Sequence, residues 1–99
     1  MNETKYHHFF RNFSNPLKID IMILLKDKKM SVSEISEELN VEQSKISHAL
    51  ASLKCCSILK VNNDGRKRIY SLNRKTILPL FRAIENHVKV NCKGVCSCI

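Results

Sequence analysis

The chain has 99 residues, enough for one domain with one core, and its 43% hydrophobic and 26% charged residues fall in the ordinary globular range. Seventeen Lys and Arg against nine Asp and Glu give a formal charge of +8, which points to an anionic partner such as nucleic acid, or to a basic surface kept for solubility. No window approaches the roughly 18 consecutive apolar residues of a membrane span, and Met1 to His8 lack the charged-then-apolar order of a signal peptide, so a cytoplasmic protein with no membrane partner is expected.

Tyr6, Phe9, Phe10 and Phe13 recur at three- and four-residue steps, which predicts a first helix from about Glu3 to Phe13 with an aromatic stripe serving as core or subunit interface. Asn15 and Pro16 then supply a cap and a first helical residue for a second helix. Seven of the nine residues from Leu17 to Leu25 are apolar, so this helix is covered on more than one side. Past the polar turn at Asp27, Lys28 and Lys29, Ser31-Val32-Ser33-Glu34 reads as a capping box that opens a short third helix. Asn40 can take the left-handed conformation that ends it.

Glu42 to Cys56 follows after a tight turn. Ile46, Ala49, Leu50 and Leu53 line its buried face. Gln43, Ser44, Lys45, Ser47 and His48 point away from that face and include no carboxylate, so they can enter a major groove: Gln pairs with adenine, Lys reaches guanine, and Ser or His bonds a base edge or a phosphate. A short helix, a tight turn and an amphipathic helix with a polar leading face are the parts of a helix-turn-helix, although an ordinary solvated face has the same pattern. Beyond Ser57 the apolar period changes to two. Ile58 to Val61 and Arg66 to Leu72 read as strands around a loop, Asn62-Asn63-Asp64-Gly65, whose Asp-Gly is a hairpin signal. Arg66, Lys67 and Arg68 make this hairpin a basic wing able to hold phosphates, or a charged edge that blocks strand pairing.

Asn73 or Thr76 caps the last helix, with Pro79 in its first turn, and Ile77, Leu80, Phe81, Ile84 and Val88 form its apolar stripe to about Val90. Surplus apolar surface on the first and last helices predicts a two-fold dimer through Tyr6, Phe9, Phe10, Phe13, Phe81, Ile84 and Val88. The fold class is therefore mainly α with a small β-hairpin, a winged helix-turn-helix in the order α-α-α-α-β-β-α. Residues 1–91 form the DNA-binding and dimerisation domain, and residues 92–99 a Cys-rich tail. A phosphate-binding glycine loop, a nucleophile elbow and a metal-spaced carboxylate pair are all missing from the sequence, which argues against an enzyme.

The five cysteines bunch as Cys55 and Cys56, then Cys92, Cys96 and Cys98. Cys56 continues the apolar face, where a small hydrophobe serves; Cys55 lies about 100° around the helix. The three tail thiols, with Cys55, His87 or a second subunit adding a fourth ligand, can hold a soft ion such as Zn, Cd or Cu. The same thiols suit a thiol-disulfide switch, or form a frayed tail with no regulatory role.

The element order resembles the ArsR/SmtB family of winged-helix repressors over residues 5 to 90. The resemblance rests on Phe13-Ser14-Asn15-Pro16, on Ser44-Lys45-Ile46-Ser47-His48-Ala49-Leu50 and on Gly65-Arg66 with Ile69-Tyr70-Ser71-Leu72. It implies a homodimer that binds a palindromic double-stranded operator and leaves it when an inducer binds. Two departures accompany it. The family's Cys-Val-Cys site falls on Ser31-Val32-Ser33, and its last-helix zinc site falls on Arg74, Thr76, His87 and Val90, of which His87 alone is a ligand type. Ser57 also stands where the family has Gly. A winged-helix module that binds an acidic protein is the alternative from another functional class.

Overall fold

Asn15 sets the first reversal of the chain: its side-chain Oδ1 accepts from the Lys18 amide at 3.1 Å, and Pro16 follows at the first helical position, where its fixed φ suits a helix start. In this computed structural model, which describes residues 3–91, that junction separates α1 (Glu3–Phe13) from α2 (Pro16–Leu24). The remaining elements are β1 (Met30–Ser31), α3 (Val32–Leu39), α4 (Gln43–Cys55), β2 (Leu59–Asp64), β3 (Lys67–Leu72) and α5 (Ile77–Asn91). Among the described residues no helix is long and apolar enough to cross a membrane.

The core gathers around α2. Ile21 and Met22 are fully buried and share one core cluster with Ile35 of α3, with Ile46, Leu50 and Leu53 of α4, and with Leu59, Tyr70 and Leu72 of the sheet. At about 1.5–3 kcal/mol for each fully buried large apolar side chain, this cluster is the main favourable term of the fold. Phe13 closes it from the α1 side and packs on Phe81 of α5, with ring centroids 5.9 Å apart. Lys26 joins the same corner: its ammonium lies 5.8 Å from the Phe81 ring centre and pairs with Glu85.

Both ends of α3 follow from local sequence. Ser31 Oγ accepts from the Glu34 amide at 3.3 Å while the Glu34 carboxylate accepts from the Ser31 amide at 3.0 Å, the reciprocal capping box that the sequence predicts. Asn40 takes φ 54°, and the Asn40 and Val41 amides fold back onto the carbonyls of Glu37 and Ser36 at 3.3 and 3.1 Å, a Schellman ending. α4 ends in the same way around Ser57, with φ 56°: the amides of Ser57 and Ile58 reach the carbonyls of Lys54 and Leu53 at 2.9 and 3.0 Å.

Three details differ from the sequence-based expectation. The sheet has three strands in the order β1-β3-β2, because the two residues of β1 pair antiparallel with β3, Met30 opposite Tyr70 and Ser31 opposite Ile69. The hairpin loop is shorter than expected. Asn62, Asn63 and Asp64 belong to β2, Asp64 pairs with Lys67, and the turn is Gly65-Arg66 with a positive φ of 64° at Gly65 alone. That is the two-residue pattern with Gly first, so Asp-Gly straddles the strand end instead of forming the turn. Finally, Phe81 is 8% exposed and belongs to the core of its own chain, so it presents little surface to a second copy.

Candidate nucleic-acid interface

The turn between α3 and α4 decides where α4 points. The left-handed Asn40 and the bond from Ser36 Oγ to the Val41 carbonyl fold the chain tightly, and burial of Ile46, Ala49, Leu50 and Leu53 fixes the rotation of α4 about its axis. Gln43, Ser44, Lys45, Ser47 and His48 are thereby all exposed along its leading end. Gln43 Nε2 donates to Ser33 Oγ at 3.4 Å, a long contact that leaves the amide available to a base edge. Glu42 precedes the helix without a side-chain bond to its first turn, so N–H groups there remain for solvent or a phosphate.

Arg66, Lys67 and Arg68 are exposed at the tip of the hairpin and at the start of β3. The β1–β3 pairing holds that hairpin against the helix-turn-helix, since Ser31 is at once the strand partner of Ile69 and the cap of α3. The wing and α3 enclose a groove lined by Ser31, Ser33, Glu34 and Glu37 on one side and by Arg66, Lys67 and Arg68 on the other. In it the Glu34 carboxyl is held below the ordinary glutamate value, first by the bond from the Ser31 amide, then by the Ser31 hydroxyl, with Lys67 and Lys28 adding positive charge. From Gln43 to Ile84 the sequence has Asp64 as its sole carboxylate, so recognition helix and wing share one strongly basic stretch.

Of the predicted metal ligands, Cys55 and His87 fall in the described region. Cys92, Cys96 and Cys98 lie outside the described residues. Cys55 is exposed at the end of α4, and His87 is exposed on α5, its Nδ1 3.4 Å from the Asn91 amide. Among the described residues no group of three or more His, Cys, Asp or Glu is placed to hold a metal ion. Cys56 is half-buried beside the core, and its Sγ accepts from Asn12 Nδ2 at 3.3 Å.

Residues 15–61, which span α2 through the first half of β2, match the model of the bacterial regulatory protein, arsR family. The chain is 33% identical over 67 residues to the transcriptional repressor SdpR of Bacillus subtilis, covering 68% of this chain and 74% of that protein. The chain belongs to the ArsR family. A second family relative, the transcriptional repressor SmtB homolog of Synechocystis, is 26% identical over 81 residues, 82% of this chain; the match spans 61% of that relative's length. Among solved structures, the homodimeric winged helix-turn-helix DNA-binding domain Mb0332 of Mycobacterium bovis superposes with a TM-score of 0.81 at 16% identity, covering 91% of this chain and 83% of that one. This likeness extends the winged-helix fold of this ArsR-family chain beyond the matched segment, from residues 15–61 to nearly the whole described region.

Proposed function

We propose that this ArsR-family chain is a dimeric, sequence-specific transcriptional repressor that lays its two α4 helices in successive major grooves, about 34 Å apart. The observation that carries the reading is that all eight predicted contact residues, from Gln43 to His48 and from Arg66 to Arg68, are exposed on two elements joined through the β1–β3 pair. The repressor relatives and the homodimeric Mb0332 domain support it. Gln43, Ser44, Lys45, Ser47 and His48 read or flank base edges; Arg66, Lys67 and Arg68 hold phosphates. The test is fluorescence anisotropy on a palindromic duplex selected by the protein from a random pool. Lys45→Ala and Arg66→Ala should each weaken binding, and Arg66→Ala should lower the salt slope by about 0.9, the value of one lost phosphate contact. Unchanged affinity in both variants would refute the docking.

The finer part of the reading is release of the operator by a soft metal ion held by Cys92, Cys96 and Cys98, with Cys55 or His87 as a further ligand. Its support is the sequence spacing of three thiols within seven residues. Titration of the reduced protein with Cd²⁺ should give a saturating thiolate-to-metal absorbance while operator affinity falls, and both changes should vanish in a variant with the three tail cysteines replaced by Ser. A thiolate band without loss of operator affinity would separate metal binding from regulation.

A further inference from the structure

Asn12, near the end of α1, is 3% exposed, and its side chain is the centre of a polar knot. Its Oδ1 accepts from Lys18 Nζ of α2 and from Ser52 Oγ of α4, each at 3.1 Å, and its Nδ2 donates to Cys56 Sγ at 3.3 Å. Lys18 Nζ also donates to Ser52 Oγ at 2.9 Å, so three side chains from three helices close a ring. Among the described residues no buried side-chain nitrogen or oxygen lacks a partner, so each polar atom of the knot has at least one bond. Lys18 is nonetheless an unusual member. Its half-buried ammonium is held by neutral oxygens, and among the described residues no carboxylate pairs with it. Desolvating a cation without a countercharge is costly, so the bonds of this group are poor candidates for a net gain in stability.

Position on α4 shows what geometry is fixed. Ser44, His48, Ser52 and Cys56 follow one another at four-residue steps and form a single row along the helix. The outer half of that row, Ser44 and His48, borders a cleft shared with Asn15, Leu17 and Lys18 on the exposed side of the predicted DNA contacts. The inner half, Ser52 and Cys56, is tied into the knot. Lys18 belongs to both: the residue borders the cleft, and its ammonium is bonded to Asn12 and Ser52 in the knot.

We propose that Asn12, Lys18 and Ser52 are positioning residues that lock α4 to the α1–α2 arm, so that the base-reading side chains of each subunit meet the operator in one register. The inference rests on the DNA-binding reading above. Lys18 then acts on sequence selectivity and not as a phosphate ligand, although its charge and its place beside the cleft would suggest the latter.

The experiment compares the full-length chain, Ser52→Ala and the double variant Asn12→Leu/Lys18→Met, in which both partners become apolar with similar shape. Each is measured on a duplex selected by the wild-type chain from a random pool and on a scrambled duplex. Both variants should keep wild-type sedimentation, scrambled-duplex affinity and salt slope, while the ratio of selected to scrambled affinity falls about tenfold or more. An unchanged ratio overturns the inference. Equal losses on both duplexes with a salt slope lowered by about 0.9 also overturn it, because Lys18 would then be a phosphate contact. If neither variant folds, the knot is a stability element and the inference fails. A wild-type chain that selects no sequence refutes the DNA-binding reading itself, whereas a selective wild type with equally selective variants refutes only the positioning role.

Discussion

Ser57 adopts φ 56° directly after α4, a conformation that costs an L-residue other than Gly about 1–2 kcal/mol. It holds that position because its neighbours leave no choice: its amide and that of Ile58 close the helix end, and its carbonyl accepts from Asn73 Nδ2 at 2.9 Å. Ser57→Gly removes the backbone strain but adds about 0.5–1 kcal/mol of unfolded-chain entropy. The variant should therefore be more stable by up to about 1.5 kcal/mol, read as a higher urea midpoint at unchanged slope; a lower midpoint would mean that the Ser side chain contributes something the backbone geometry does not reveal. Glu34 allows a second residue-level test. Its carboxyl titrates below the ordinary glutamate value in the folded chain, so its charge contributes stability above that ordinary value, and the contribution is lost as pH falls through the depressed one. Glu34→Gln keeps a capping side chain and removes the charge. Urea unfolding should find wild type the more stable near neutral pH and the two chains converging in acid, whereas a gap that persists in acid would assign the effect to shape instead of charge.

The wing is the element whose details were hardest to read in advance. Gly65 has φ 64° and nothing within 4 Å of where a Cβ would sit, so a substitution there is penalised by backbone conformation and not by crowding. Gly65→Val should cost about 1–2 kcal/mol, concentrated at the hairpin tip. Amide exchange should accelerate at Asn62 and Asn63 while protection at Leu59 and Leu72 persists, and operator affinity should fall with the wing; uniform exchange across the sheet would place the cost in the core. The helices were legible because their signals are local: the Asn15-Pro16 start, the Ser31/Glu34 box and the left-handed Asn40 each act within a few residues. Exposure of the eight predicted contact residues was legible too, since the apolar face of α4 dictates which side remains outward. The two-residue strand β1 is too short to show a period, and its partner in β3 is remote in sequence. The Asp-Gly pair located the hairpin and misplaced the turn by one residue, because Gly65 fits the first central position as well as the second. The Asn12 knot had no sequence signal, as three of its four bonds join residues 34 to 44 positions apart.

At the scale of the whole molecule, the apolar surface left over after folding indicates how two copies meet. Phe13 and Phe81 satisfy each other within the chain, and Phe9 is half-buried beside them. Tyr6 and Phe10 on α1 remain 50% and 54% exposed, and Ile84 and Val88 on α5 are each 44% exposed. These four, from the predicted interface set, can lose further area to a partner without disturbing the core, whereas Phe81, packed in it, has little exposed area left to lose. Placing a charge at Phe81 therefore tests folding. An Ile84→Asp/Val88→Asp variant tests association: it should retain the helical circular dichroism of the parent chain and sediment as a monomer, since each buried carboxylate would outweigh the few kcal/mol that its aliphatic predecessor contributes. The monomer should bind a single half-site with about half the salt slope of the dimer, because the phosphate contacts of one wing and one recognition helix are lost together. A variant that remains dimeric would move the interface off the α5 stripe, toward α1 or the half-exposed Ile23 of α2. The half-site spacing would then have to be set by a different pair of helices.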